Sequence, residues 1–343
     1  MFYPINSANY REAVKYFSKL TDDEKQQFIA EICFPSNTSQ TLDQLVTQRR
    51  FSKGRFCPHC GDKHVVRNGT RKNKTQKYLC RNCHKNFTAT TNTVLAGSHK
   101  DQVTWDKFIQ CVINSDTLRE SADKCGINKN TAFEWRHKVM ETLCTNMSDN
   151  IVLDGIIEAD ETFFRVSYKG SRHMPRPPHK RGSSIHTRGL SREQVCVYTS
   201  VNRNGRSIAK AGNVGPARKK KMHEILDGRL EPGSYLCTDG LRAYSDIAKT
   251  NNLVHIPIKG GRTRKGIYHI QNLNNYHKQM KQFFSGFNGV STKYLDHYLA
   301  WHNMVNYTGS PDEQTRHTLT NFLYTTNKKI RRADVTKRPP VPS

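Results

Sequence analysis

The chain has 343 residues, 35% of them hydrophobic, which is long enough for two or more cores and typical of a folded protein. Its 55 Lys and Arg residues against 29 Asp and Glu residues give a formal charge of +26, which favours a polyanionic partner such as double-stranded DNA. No apolar run approaches the roughly 20 residues of a spanning helix. The N-terminus also lacks a basic leader and an apolar segment. We therefore expect no membrane association and a cytoplasmic, nucleoid-associated protein.

The first segment, residues 1–50, has two helical patterns, at Asn9–Phe17 and Asp22–Cys33. The second pattern opens on Thr21-Asp-Asp-Glu24, a capping box. Packing or oligomerisation is the simplest role for this N-terminal helical segment.

A zinc ribbon is predicted over residues 51–92. Two knuckles, Cys57-x2-Cys60 and Cys80-x2-Cys83, are separated by 19 residues, a spacing typical of four thiolates around a structural Zn²⁺. The metal substitutes for a core too small to fold alone. Many Lys and Arg residues and a single acidic residue, Asp62, make DNA backbone contact plausible. A purely structural clip with a soluble surface is the alternative.

Residues 100–146 have a helix-turn-helix pattern. Ala122 permits close helix approach, Gly126 supplies the turn, and Asn128 can cap the second helix. An ordinary helical hairpin gives a similar pattern. If the segment reads DNA, its second helix presents polar residues to a major groove; these residues are Lys129, Asn130, Thr131, Glu134 and Arg136.

Residues 150–306 alternate strand and helix patterns in the order β-β-β-α-β-α-β-α, which agrees with an α/β, ribonuclease H-like core, a mixed sheet with flanking helices. The segment 307–343 is a basic C-terminal tail, and its part from Asn327, which is rich in Lys and Arg and ends in prolines, is predicted to be mobile. The predicted strands are Gly155–Phe164, Glu193–Val201, Ser207–Asn213, Ser234–Thr238 and Leu253–Ile258. The predicted helices are Ala217–Leu226, Leu241–Thr250, Ile267–Phe284 and Ser291–Val305.

Three side chains with oxygen ligands, Asp160, Asp239 and Asn274, come from separate predicted elements. Cutting and joining a phosphodiester needs charge compensation at the attacking and departing oxygens, which two Mg²⁺ or Mn²⁺ ions about 4 Å apart provide through hard oxygen ligands. Lys281 follows Asn274 by seven residues, two helical turns along the same face, where it would hold a DNA phosphate. The pattern predicts polynucleotidyl transfer with Asp160, Asp239, Asn274 and Lys281 in the site.

Each of these residues also has an ordinary interpretation as a solvated strand face, a turn or an exposed helix side. Glu158 alternates with Asp160 along its strand and is an alternative third carboxylate. His269 and His277 flank Asn274 and either contact substrate or are buried or capping histidines.

A basic loop follows the first catalytic strand, since no acidic residue occurs between Phe163 and Arg192. Its cations are expected to bind DNA phosphates along the active-site cleft. A disordered, solubilising insert is the alternative. The residues that we assign to DNA in this loop are Arg172, Arg176, Lys180 and Arg181.

These motifs resemble those of bacterial insertion-sequence transposases of the DDE superfamily that carry an N-terminal zinc ribbon, relatives of the eukaryotic Merlin elements. The resemblance implies binding of terminal inverted repeats, metal-dependent DNA cleavage and strand transfer, and a homo-oligomer on DNA. Many relatives have Glu where this chain has Asn274, a substitution that characterises one branch. A catalytically inactive, DNA-binding regulator and a nuclease that cuts without joining are the alternatives. The resemblance covers Cys57–Cys83, the strand of Asp160, Arg188–Val197, Cys237–Tyr244 and Gly266–Leu295.

Overall fold

A computed structural model describes residues 42–52, 54–72, 75–147, 151–177, 189–258, 264–307 and 330–340, together with Phe17, Ser18, Thr21, Lys25 and Leu323. The first described helix is α1 (Leu42–Arg50). The helices expected at Asn9–Phe17 and Asp22–Cys33 lie almost entirely outside the described residues, as do Lys180 and Arg181 of the basic loop.

The cysteine-rich segment forms a three-stranded antiparallel sheet of β1 (Val65–Thr70), β2 (Gln76–Cys80) and β3 (Asn86–Phe87). Among the described residues of this segment, the buried core comprises Cys57, Tyr78, Cys80 and Phe87, which is little apolar surface for a folded module. A core of this size is usually completed by a metal.

Three helices follow: α2 (Gln102–Ile113), α3 (Leu118–Cys125) and α4 (Lys129–Met147). Gly126 ends α3 in the left-handed region with φ of 58°. The Asn128 side chain accepts the Asn130 N–H at 2.8 Å, so the predicted cap of the second helix is confirmed.

The second half of the chain contains a five-stranded mixed sheet with strand order β6-β5-β4-β7-β8. The pairs β4–β5 and β5–β6 are antiparallel, whereas β4–β7 and β7–β8 are parallel. This is the ribonuclease H-like arrangement, and the predicted fold class is confirmed. The strands are β4 (Ile156–Arg165), β5 (Gln194–Asn202), β6 (Ser207–Val214), β7 (Tyr235–Thr238) and β8 (Val254–Pro257).

Helices cover both faces of this sheet. One face packs against α5 (Lys219–Leu226) and α6 (Arg242–Thr250). The other packs against α7 (Gln271–Ser285) and α8 (Leu295–Tyr307), which a short 3-10 turn, Thr292–Tyr294, precedes. No helix in the described ranges is both long and apolar enough to cross a bilayer.

The predicted start of the late helix at Ile267 was wrong. Two short strands, β9 (Arg264–Lys265) and β10 (Tyr268–His269), pair through a turn at Gly266, whose φ is 62°. The helix begins at Gln271 because the preceding residues pair as strands.

The prediction of a mobile tail was wrong for residues 330–340. Arg332–Thr336 form a short helix, α9, and the Ile330 and Val335 side chains are buried in the main core. Arg338 forms an ion pair with Glu141 of α4. The buried apolar side chains and the Arg338–Glu141 ion pair attach this segment to the core, although its basic composition favours exposure to solvent.

Helices α2 to α4 and the sheet domain share one hydrophobic core. Trp135 and Leu143 of α4 belong to the same buried cluster as Trp301 of α8. The Trp301 indole N–H donates to the Val112 carbonyl at 2.8 Å. The predicted DNA-reading helix is therefore fixed rigidly to the sheet that carries Asp160.

Candidate active site and zinc site

Asp160 lies on β4, and Asp239 directly follows β7, the parallel strand beside it. The last registered pair of these strands is Glu158 and Cys237. Asp160 and Asp239 each come two residues later, so continuation of this register brings them side by side, and their charges interact. Adjacent strands are about 4.8 Å apart, so the two carboxyl groups share the edge of the sheet at the end of β7.

The electrostatics of this pair favour a cation. Burial, with a smaller contribution from the negative charge of Asp239, raises the pKa of Asp160 from 3.8 to about 6. Asp160 Oδ1 accepts the Glu161 N–H, and Asp239 Oδ1 accepts the Leu241 N–H. Hard carboxylate oxygens that repel one another fit a Mg²⁺ or Mn²⁺ ion, whose positive charge would relieve the repulsion.

Glu161 adds a third carboxylate to this field, from the opposite face of β4. Burial raises its pKa to about 7, although a 2.8 Å hydrogen bond from the Tyr244 hydroxyl opposes the shift. Asp160 and Asp239 raise it further. Sequence reasoning gave Glu161 no role, because its environment depends on Tyr244, which lies more than 80 residues away.

Glu158 holds the N-terminus of α7. Its carboxylate is 1% exposed and accepts the Leu273 N–H and the Asn272 side-chain amide, both at 3.0 Å. Arg203 adds an ion pair at 3.1 Å, and His269 Nδ1 lies 3.5 Å away. Because both oxygens have protein partners, the carboxylate acts as a helix cap, and the alternative of Glu158 as third metal ligand is disfavoured.

His277 makes the second attachment of α7. Its Nε2 lies 2.6 Å from the hydroxyl of Thr199, which pairs with Asp160 across β4 and β5. The Thr199 hydroxyl donates to the Asp160 carbonyl, so it accepts the Nε2–H of a neutral imidazole. Burial, with the Lys281 charge, lowers the pKa of His277 to about 4. Of the two interpretations of His277, the structure favours the buried one.

Asn274 lies between these two attachments, one residue after Leu273 and three before His277. Its side chain is exposed, as is that of Lys281. The structure therefore brings Asp160 and Asp239 together and fixes the helix of Asn274 against their sheet. Ligation by Asn274 remains a prediction.

The DNA-facing residues predicted on α4 divide into two groups. Lys129 and Asn130 are exposed and Thr131 is half-buried at the start of the helix. Arg136 is 1% exposed and donates to the Asp116 carbonyl and the Ser121 hydroxyl. The prediction that Arg136 faces DNA was therefore wrong, since a buried guanidinium does not reach a groove.

The two described arginines assigned to the basic loop are accessible. Arg172 is exposed, and Arg176 is half-buried with its guanidinium 5.5 Å from the centre of the Tyr168 ring. Both can present positive charge to a phosphate.

Cys57, Cys60, Cys80 and Cys83 converge as a zinc site requires. Their sulfur atoms all lie within 4.8 Å of one another, and the Cys57–Cys83 and Cys60–Cys80 sulfurs are 3.6 Å apart. A tetrahedral ion with Zn–S bonds of about 2.3 Å puts sulfurs roughly 3.8 Å apart. The His59 N–H points at the Cys57 sulfur and the Cys83 N–H at the Cys80 sulfur. Such donors stabilise thiolates, so the cluster fits Zn²⁺.

Comparison with known families identifies the part of the chain that carries the five-stranded sheet. Residues 152–306 match the ISXO2-like transposase domain. These residues form an ISXO2-like transposase domain. The resemblance to insertion-sequence transposases is confirmed, and the transposase domain spans the whole sheet with α5 to α8.

Individual relatives are more distant. A curated relative, the "Uncharacterized protein in transposable element ISH50" of Halobacterium salinarum, is 24% identical over 259 residues, 74% of this chain and 86% of its own length. A chain of the simian T-cell lymphotropic virus intasome with a PP2A regulatory subunit is 11% identical, with TM-score 0.28 and coverage of 69% of this chain and 77% of its own. A pre-cleavage Mos1 transpososome is 11% identical, with TM-score 0.21 and coverage of 92% and 96%.

Proposed function

We propose that this transposase binds the terminal inverted repeats of its element and cuts and joins DNA strands at Asp160, Asp239 and Asn274. The observation that carries the proposal is the parallel register that sets Asp160 beside Asp239, at a point where burial and mutual repulsion raise the pKa of Asp160. Polynucleotidyl transfer is the chemistry that a transposase domain performs with such carboxylates.

In this proposal, two Mg²⁺ or Mn²⁺ ions supply charge neutralisation at the attacking and departing oxygens when they are bound. Asp160 and Asp239 hold them through carboxylate oxygens, and Asn274 adds a neutral amide oxygen. An amide in place of a carboxylate removes one negative charge from the pocket, so metal affinity falls and Mn²⁺ supports activity better than Mg²⁺. Lys281 holds a phosphate of the reacting strand.

DNA recognition is assigned to the N-terminal half and the basic loop. The zinc ribbon, held by Cys57, Cys60, Cys80 and Cys83, and the exposed start of α4 bind the duplex. Because two ends of an element must be brought together, we expect at least a dimer on DNA in the cytoplasmic nucleoid. The residues assigned to DNA are Lys129, Asn130 and Thr131 on α4 and Arg172, Arg176, Lys180 and Arg181 in the basic loop.

The proposal is tested by incubating the full chain with the DNA that flanks its gene, in Mg²⁺ or Mn²⁺, and mapping nicks. The unmutated protein should nick at the element ends. Asp160→Ala and Asp239→Ala should bind the same DNA without cutting it. Binding without nicking by the unmutated protein would instead indicate a DNA-binding regulator.

A further inference from the structure

A cleft of about 730 Å³ opens beside α7, where the chain leaves β4. Its lining includes three aromatic side chains, Phe164, Tyr168 and Phe284. The Phe164 and Phe284 rings pack with their centres 4.7 Å apart. A concavity of this volume lies within the range of sites that take a small organic group. The proposed metal ligands do not line it.

The charges around the cleft are of one sign. Four cationic side chains line it, Arg165, Lys169, Arg176 and Lys281, and no carboxylate occurs among the described residues that do so. The Lys169 ammonium donates to the Gly289 carbonyl at 2.7 Å, and both residues line the cleft. Aromatic and cationic side chains that line one cleft suit a flat ligand that carries negative charge.

Helix α7 contributes residues both to the cleft and to the proposed active site. Lys281 lines the cleft and lies two helical turns, about 10 Å, from Asn274. Successive nucleotides of a duplex strand advance by about 3.4 Å. A strand with one phosphate at Asn274 therefore reaches Lys281 within about three nucleotides.

We propose that this cleft takes one unpaired nucleotide of a DNA strand, with its base against Tyr168, beside the Arg176 guanidinium that lies over the same ring, and its phosphate against Lys281 and Arg176. The inference rests on the proposed function, because the reacting strand delivers the nucleotide. Stacking on an aromatic ring tolerates every base, so the cleft senses an opened duplex next to the cut rather than a sequence.

The test compares two probes with equal charge, a short oligothymidylate and an abasic deoxyribose-phosphate chain of the same length, bound to the full chain. The unmutated protein should bind the base-bearing strand about tenfold more tightly. Tyr168→Ala should lose most of that preference while its affinity for the abasic chain stays unchanged. Tyr168→Phe, which keeps the ring, should retain the preference.

Tyr235→Ala is the matched control, since Tyr235 is a partly exposed ring at the start of β7 that does not line the cleft. It should keep the full preference. Lys281→Gln should weaken both probes alike, because the phosphates are common to them. Equal binding of the two probes by the unmutated protein, or an undiminished preference in Tyr168→Ala, overturns the proposal.

Nicking of flanking duplex DNA is measured in parallel to separate this inference from the proposed function. Nicking without a base preference defeats the cleft proposal alone. A base preference that depends on Tyr168, without any metal-dependent nicking, defeats the proposed catalysis and leaves a strand-binding cleft.

Discussion

The Asp160 side chain is partly buried beside the carboxyl group of Asp239. Its ionised form therefore destabilises the folded state. The pKa of Asp160 rises from 3.8 to about 6 on folding. The ionised carboxylate therefore lowers the free energy of unfolding most above about pH 6, where it is ionised in both the folded and the unfolded state. This destabilisation fades as pH falls below that value, because the folded state then takes up a proton first.

We therefore predict that Asp160→Asn raises the melting temperature of the metal-free protein at about pH 8 and that the gain shrinks at about pH 5. Thermal unfolding in EDTA at the two pH values measures it. As a control, Mn²⁺ should stabilise the unmutated protein more than the variant. A variant that melts below the unmutated protein at the higher pH would contradict this electrostatic account.

Asn274 is exposed on α7 between the attachments at Leu273 and His277. We predict that Asn274→Ala abolishes or strongly reduces nicking because an oxygen ligand is lost, whereas Asn274→Asp and Asn274→Glu preserve it. The neighbouring exposed residue supplies a control, Asn275→Ala, which should cut normally. Normal cutting by Asn274→Ala would remove this side chain from the site.

At the scale of elements, the position of α7 depends on a buried charge. Glu158 ties the first turn of the helix to β4, and Arg203 joins the same carboxylate from the β5–β6 turn. We predict that Glu158→Gln lowers the free energy of unfolding by about 2 kcal/mol and slows nicking because Asn274 loses its fixed position.

Chemical denaturation and nicking rates on the same samples measure the two effects. Glu231→Gln, an exposed carboxylate before β7, should change neither. If Glu158→Gln lost stability but cut at the unmutated rate, Glu158 would be a structural residue without influence on the site.

Local pattern predicted most of the elements of the transposase domain. Alternating apolar residues and turn glycines placed β4 at Gly155–Phe164, and the structure has Ile156–Arg165. Tertiary contacts decided what the pattern left open. Glu158 and Asp160 lie on the same face of β4. Glu158 acts as a helix cap because the N-terminus of α7, distant in sequence, packs against it. The helical pattern alone places Arg136 on an exposed face. In the structure its guanidinium packs 5.0 Å from the ring of Trp301, which lies 165 residues later in the sequence.

At the scale of the molecule, α4 and the transposase domain are joined by polar as well as apolar contacts. His137 and His297 face each other through their Nδ1 atoms at 2.8 Å, and His297 Nε2 lies 2.9 Å from Glu141. Burial lowers the pKa of both imidazoles. These contacts fix α4 against the sheet that carries Asp160, so DNA bound as we propose by α4 would be held at a fixed orientation to that side chain.

The cysteine-rich module, by contrast, has a small core of its own, and its four clustered cysteines could hold a zinc ion. We predict about one zinc per chain in the purified protein and none in Cys60→Ser, with weaker DNA binding because the basic ribbon loses its fold. Cys144→Ser, whose thiol lies outside the cluster, should retain the metal. Elemental analysis and DNA titration measure both, and full zinc content in Cys60→Ser would contradict the assignment.

A joining assay measures whether Asp160 and Asp239 take part in strand transfer. A pre-cut element end with a free 3′ hydroxyl is incubated with target DNA, Mn²⁺ and the full chain. We predict joined product with the unmutated protein and none with Asp160→Asn or Asp239→Asn, although both variants still bind the end. Joined product of equal yield from either variant would exclude the substituted carboxylate from strand-transfer catalysis.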